Sequence, residues 1–482
     1  MSFISIEFAI FLFLVLVLNW LLRPARGLYR LFLLGACYTF YGLLNLKFLA
    51  LLIHFSLWTW LLGRGIAFCS TRWIRQSFLI FHLLIGIGGL ILFKYYDLLY
   101  ESLDHLAAHI GTASFLPQTE IAVPAGISFF TLQGLSYSID VFRDANRQVK
   151  NPTDVLIFVA FFPTILSGPI MRASDFVPQI GNMGHDRKSS SEAFCLILSG
   201  LAKKLVLASY LSKHVVQPVF EDCTAYSSPY VALGIVACSI QIFCDFSGYT
   251  DLVRGIALLM GYSIPENFNN PYSAKNLREF WNRWHMSLSF WLRDYLYFPL
   301  GGNRRGTIRK YLNILITMLL GGLWHGSSWN FLLWGGFHGI GICVTHLFKS
   351  AMTKIDLQRN PGSRIWHQLL DVFAWFSTFA FVSIGWVFFF CRSIADSTAM
   401  LSRLTVFDTT TKNFSYFSGP VTLFIIITVL IHESFRVKLM AKTTEMLYDL
   451  PIVYEVLIFG FLLTLLIRFA PDGVPEFIYY QF

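Results

Sequence analysis

The sequence predicts an all-α polytopic membrane protein, and three observations carry that reading. The 482 residues are 55% hydrophobic and only 13% charged, whereas soluble domains carry about a quarter charged residues. Apolar runs recur from residue 3 to residue 470. The loops between the first of these runs alternate in charge, as loops on opposite sides of a bilayer do. The chain is longer than one ordinary domain, but the runs never pause for a linker, so a single polytopic body over residues 1–482 is expected.

The first run, Phe3 to Leu22, is long enough to cross the hydrocarbon, which takes about 20 residues. It lacks a basic leader and a small-residue cleavage site, so it reads as a retained helix. Arg23, Arg26 and Arg30 follow and mark a cytoplasmic loop. Spans near 31–45 and 47–62 come next, joined by a tight turn at Asn45. Arg64, Arg72 and Arg75 make the next loop basic again. A span near 76–93 leads into Lys94–Glu120, where Asp97, Glu101, Asp104 and Glu120 accompany one lysine and no arginine, as suits an outer loop. After 121–141 the basic cluster Arg143, Arg147 and Lys150 returns. The alternation places the N-terminus outside.

Further spans are expected near 153–169, 192–211, 229–246, 311–322, 329–348, 366–391, 419–432 and 452–470. The total is roughly 11–13 transmembrane or re-entrant helices, with interfacial helices in addition. Pro163, Gly168-Pro169 and Gly321-Gly322 interrupt several of them. Broken backbone at membrane depth is tolerated only where protein or water surrounds it, so the middle of the chain is expected to line a cavity. The net charge of +9 fits cytoplasm-facing loops better than nucleic acid. The eight cysteines contain no C-x-x-C pair and support neither a zinc site nor a disulfide framework.

The stretch from Pro265 to Arg305 is too polar for a simple span. At about 100° per residue, Trp281, Trp284, Leu288, Trp291, Leu292 and Tyr295 fall on one helical face. Arg283, Arg293 and Asp294 fall away from it, and His285 lies on the apolar side. Such a helix, over 278–297, suits the membrane interface or the mouth of a cavity. Its histidine is either a buried, hydrogen-bonded ring or a reactive one. A second histidine, His325 in "GGLWHG" (321–326), closes the apolar run 311–320. It is a packed side chain, a proton relay or a catalyst. In "CDFSGYTD", Asp245 and Asp251 border an apolar span; they are functional acids or partners of an arginine such as Arg254. "FFPTILSGPIMR" (161–172) reads as a broken hairpin, either a packing turn or a place where Arg172 meets an anionic donor. His338 in "WGGFHG" reads as structural, and His105, His109 and His185 fall in loops without a signal.

These stretches resemble the membrane-bound O-acyltransferase family, in the bacterial branch that contains the membrane protein of alginate O-acetylation. The matching segments are "PAGISFFTLQGLSYSIDVFR" (124–143), "SGPIMR" (167–172), "FCDFSGYTD" (243–251), "ENFNNPY" (266–272), "REFWNRWHMSLSFWLRDYLYFPLGGNRRG" (278–306), "GGLWHG" (321–326) and the terminal "FIYYQF". They occur in the family's order and make 124–348 a motif-rich core. The resemblance implies a funnel-shaped helical body in a bacterial inner membrane, for which the loop charges place the N-terminus in the periplasm. It implies an acyltransferase whose catalytic histidine is His325, with His285 nearby. Arg283, Trp284, Arg293 and Trp324 are candidate substrate-binding residues. It also implies a periplasmic acetyltransferase partner and a polysaccharide acceptor reached directly or through that partner. Alginate, cellulose, another exopolysaccharide and peptidoglycan fit equally. A sister branch transfers D-alanyl groups, but acetyl is expected here.

Acyl transfer from a thioester to a hydroxyl needs a base, and neutral histidine suits that work near pH 7. His325 is expected as the base, and His285 as the group that orients the acceptor or polarises the carbonyl. No Gly-x-Ser-x-Gly elbow is present, and Cys244 and Cys343 lie outside any nucleophile pattern. Direct transfer is therefore expected over a covalent intermediate. The expected donor is acetyl-CoA from the cytosol, with no resident cofactor or metal. Glycines beside His325 would let backbone pack closely against it. A secondary transporter and a non-catalytic scaffold of a polysaccharide-modifying complex are the rival readings; no inverted repeat supports the first. Loop charge makes a direct prediction. An impermeant maleimide should label Ala108→Cys from the periplasm and leave Ala25→Cys unlabelled; the reverse pattern would invert the topology.

Overall fold

A computed structural model describes residues 3–470 except 4, 113, 115, 120, 181–185, 357–363 and 407–417. The terminal "FIYYQF" and His185 lie outside the described residues. Every regular element described is helical, and nine of the described helices are long and apolar enough to cross a membrane. The expected all-α polytopic class is what the chain forms. By internal packing it divides into two units, residues 1–193 with 253–265 and residues 194–252 with 266–482.

In the first unit, Ile6–Leu22, Arg26–Leu44, Leu46–Phe68 and Arg72–Lys94 follow one another through short turns. Asn45 makes the tight turn expected of it: it is extended, and its side chain accepts from the Lys47 N–H at 3.0 Å. The acidic loop after Lys94 contains a helix the apolar pattern did not signal, Tyr96–His109. Ile127–Arg143 is buried along almost its whole length, so its polar side chains must be satisfied internally. Gln133 Nε2 donates to the Phe158 carbonyl at 2.9 Å, and Ser138 Oγ pairs with His82 Nδ1 at 2.7 Å. His82 Nε2 meets Thr59 Oγ1 at 3.2 Å. Such interhelical bonds register helices where no hydrophobic driving force separates them from lipid. Of the span expected near 153–169 only Pro152–Ala160 is helical. The chain then turns through Phe161–Gly168 in buried, hydrogen-bonded steps, which is the broken hairpin the prolines and glycine implied.

The expected spans near 192–211 and 229–246 are parts of longer elements. Helix runs almost continuously from Arg187 to Glu221, with π-helical stretches at Ala202–Ala208 and Ser212–Val216. Ser228–Leu259 follows as one helix. In the second unit Gly306–His325 and Trp329–Asp356 form the closest helix pair. Glycine makes that approach possible. A β-carbon on Gly322 would run into the Phe331 carbonyl, and one on Gly335 into the Met318 carbonyl. Of the glycines beside His325, Gly322 thus does what the sequence suggested, bringing backbone against backbone, whereas a β-carbon on Gly326 would meet the Phe331 ring. Arg364–Phe390, Ser418–Asp449 and Ile452–Phe469 complete the unit, the last almost wholly exposed and apolar as a lipid-facing helix would be.

The glycine contacts predict an asymmetry in stability. Gly335→Ala should destabilise the purified protein by about 1–3 kcal/mol through overpacking. Gly88→Ala, where a β-carbon meets nothing within 4 Å, should be neutral or stabilising by up to about 1 kcal/mol. Thermal unfolding in detergent would measure both, and equal effects would mean that the close approach does not matter.

Candidate functional site

The aromatic segment expected as one helix over 278–297 is not one helix. Leu277–Arg283 ends at Trp284, which is extended, and His285 takes a left-handed conformation at φ 41° and ψ 53°. Met286–Leu292 then starts a new helix that passes into a π-helical turn, Arg293–Tyr297. The predicted single apolar face is therefore split between two elements. A left-handed residue other than glycine costs about 1–2 kcal/mol, so neighbours must hold it. They come from the earlier segment "ENFNNPY". Met286 N–H donates to the Asn267 carbonyl at 3.0 Å, and Ser287 N–H to Asn267 Oδ1 at 3.1 Å. Asn269 N–H donates to the Arg283 carbonyl at 3.0 Å. Periodicity misses this break because hydrogen bonds from a distant segment create it.

His325 is the last residue of Gly306–His325, and Gly326 beyond it is extended. The ring is 5% exposed and sits among Trp324, Trp334 and Phe389, with centroids 5.0, 5.0 and 5.2 Å away. The His285 ring lies 6.4 Å from that of His325 and 6.0 Å from Trp324. The two candidate histidines therefore meet, as expected. His285 belongs to elements too short to span a membrane, and burial pushes its pKa down to about 3. The neutral form of the ring is the one this environment holds.

A cavity of about 740 Å³ opens beside His325, and the His285 ring does not line it. His325, Trp281 and Trp334 contribute to its wall. So do the basic side chains Arg278, Arg293 and Lys310. Arg293 is half exposed, bonded to Asp294 at 2.7 Å and stacked over Phe290 at 4.8 Å. The other candidate substrate-binding residues stand elsewhere. Arg283 is not among the lining residues; its guanidinium donates to Glu279 at 2.7 Å and to Ser273 Oγ at 2.8 Å. Trp284 is also absent from the lining, buried against Phe280 and Trp386. Trp324 is buried between the two histidines' neighbourhoods. Asn267, Arg278 and Lys310 were not singled out from sequence. Only the density of polar residues in 266–310 signalled them, and that density does not say which side chains face inward.

The remaining polar islands resolve differently. Asp245 accepts from Lys204, and Asp251 from Lys203 at 3.2 Å. Buried lysines on the π-helical stretch Ala202–Ala208 thus serve as partners of both acids. The sequence could not show that this stretch faces those acids. His338 is fully buried, and among the described residues neither ring nitrogen makes a hydrogen bond. Trp281, Trp334 and Phe381 rings enclose it at 5.2, 5.0 and 5.8 Å. That is the structural role expected of it.

Comparison with known proteins adds an independent line. Residues 89–391 match the membrane-bound O-acyltransferase family. The probable alginate O-acetylase of Pseudomonas putida is 35% identical over 402 residues, spanning 83% of this chain and 79% of its own. The peptidoglycan O-acetyltransferase of Helicobacter pylori is 30% identical over 403 residues, or 78% and 73% of the two chains. The teichoic acid D-alanyltransferase of Bacillus subtilis is 30% identical over 281 residues, or 55% and 68%.

The left-handed geometry of His285 gives a way to separate folding from chemistry. His285→Gly should unfold at a higher temperature than His285→Ala, reflecting a difference of about 1 kcal/mol. Equal melting temperatures would mean that the strain is not carried at this residue.

Proposed function

This chain belongs to the membrane-bound O-acyltransferase family and is an acyltransferase, and we propose that it moves an acetyl group from a cytosolic donor, acetyl-CoA, across a bacterial inner membrane to an extracytoplasmic polysaccharide. The observation that carries this reading is that His325 lies in the wall of a cavity that also bears Arg278, Arg293 and Lys310, with the His285 ring 6.4 Å from its own. The basic side chains suit the phosphates of a CoA-type donor. The relatives that act on alginate, peptidoglycan and teichoic acid all esterify cell-surface polymers by name, which favours a polymer acceptor over a lipid. The acceptor is alginate, cellulose, another exopolysaccharide or peptidoglycan, met directly or through a periplasmic acetyltransferase partner. The basic loops support a periplasmic N-terminus.

In this reading the acceptor hydroxyl oxygen attacks the thioester carbonyl carbon while His325 takes the hydroxyl proton. The carbon–sulfur bond then breaks, the ester forms, and the proton on His325 passes to the departing thiolate. Neither step changes an oxidation state. Surrounding aromatic rings exclude water, which would otherwise compete as the nucleophile. His285, held neutral, orients the acceptor or polarises the carbonyl. Trp324 packs near both rings, while Arg283 and Trp284 are engaged by protein partners away from the cavity wall.

Losing a general base typically removes a factor of about 10²–10⁴ in rate. His325→Ala should therefore abolish acetyl transfer while expression, membrane insertion and melting temperature stay near wild type. Retained activity, or loss only through unfolding, would reduce His325 to packing and favour a scaffold. Arg293→Ala and Lys310→Ala should raise the KM for acetyl-CoA more than they lower kcat. Unchanged donor dependence in stable variants would remove these side chains from donor binding.

A further inference from the structure

His285 is held in its left-handed conformation by groups that the chemistry above does not use, and these lead back to a buried ionic cluster. Asn267 is 1% exposed and bonds both the Met286 and the Ser287 N–H, the first two amides after His285. The next residue, Phe268, has its carbonyl engaged by Arg436 Nη2 at 3.0 Å, from helix Ser418–Asp449. Arg436 is itself buried and ion-paired with Glu433 at 3.3 Å and Glu266 at 3.7 Å. Glu433 also takes Lys203 Nζ at 2.9 Å, and Lys203 reaches Asp251 at 3.2 Å.

The plainer account is charge compensation, in which Arg436 exists only to neutralise Glu433. The distances argue against that as its whole role. Hydrogen bonds from N–H to oxygen centre near 2.9–3.0 Å, and the carbonyl contact has that length while both carboxylate contacts are longer. A lysine could supply the charge, but the guanidinium presents Nη2 to the Phe268 carbonyl and Nε to Glu433 from one rigid plane, a geometry that a single ammonium nitrogen does not reproduce. The cluster so anchors the one segment that clamps the backbone on the C-terminal side of His285.

We propose that Asn267 and Arg436 are positioning residues for His285, setting the imidazole against His325 by fixing the left-handed turn between the two short helices. This rests on the reading of His285 as part of the acyl-transfer site. Misplacing a reacting group by about 1 Å can cost on the order of 100-fold in rate, so the effect should fall on turnover. Neither residue lines the cavity, so donor binding should be spared.

The test uses membranes from cells that make the native polymer, with labelled acetyl-CoA as donor and ester-bound label as the readout. Purified variants are followed in parallel by thermal unfolding. Arg436→Lys keeps the charge beside Glu433 and loses the fork. It should lower kcat about 10-fold or more, with an unchanged acetyl-CoA KM and an unchanged melting temperature. Asn267→Ala should do the same, and Asn267→Asp, which keeps an acceptor for the Ser287 N–H, should recover part of the loss. Full turnover in both Arg436→Lys and Asn267→Ala would overturn the proposal. So would a loss that tracks unfolding or appears only as a raised KM. His285→Ala, assayed alongside, separates the two levels. If it is fully active, the site reading itself fails; if it is impaired while Arg436→Lys and Asn267→Ala are not, only the positioning role fails.

Discussion

Lys203 carries its charge in the interior of a helical body, where no solvent can supply a counter-ion, so the protein must. It meets Asp251 from helix Ser228–Leu259 and Glu433 from helix Ser418–Asp449, and Glu433 in turn meets Arg436. Isolated ions in such surroundings carry a penalty of several kcal/mol each. Removing Glu433, which both cations share, would therefore leave Lys203 and Arg436 each short of a counter-charge. A network of this kind is a poor source of net stability but a strong specifier of register. Here it fixes the register of three helices that apolar side chains alone would let slide. The segment that turns the chain at His285 is attached to this register through the Phe268 carbonyl.

Around the histidines the constraint is different in kind. His325, Trp324, Trp334 and Phe389 pack edge to face with centroids near 5 Å, the arrangement that aromatic quadrupoles favour. Rings of this size leave few rotamers open, so packing holds the His325 imidazole still. Their surface is apolar, which suits a neutral base and an ester-forming reaction that water would spoil. The basic side chains of the cavity wall supply the contrasting requirement, a place for anionic charge beside a dry one. The two glycine-mediated backbone contacts, Gly322 with Phe331 and Gly335 with Met318, let helix Trp329–Asp356 come close enough to bring Trp334 against His325.

Much of this protein is determined by the sequence itself. Hydrocarbon thickness and the need to satisfy every backbone group internally make a run such as Leu46–Phe68 a helix whatever surrounds it, which is why class and most spans could be read directly. The family and the pair His285 and His325 were legible through local motifs, since residues near in sequence carry them. Tertiary structure alone decided how those motifs meet. The helix break at Trp284–His285 comes from the amide partners of Asn267, far back in the chain. Asp245 and Asp251 pair with Lys204 and Lys203, which no local sequence pattern marks as their partners. Arg293 came to face the cavity and Arg283 to brace Glu279 and Ser273, although periodicity put both on the same polar side. Periodicity records which residues avoid lipid, a one-body property of each side chain. A hydrogen bond or ion pair between distant segments is a two-body property, set only when the chain has closed on itself.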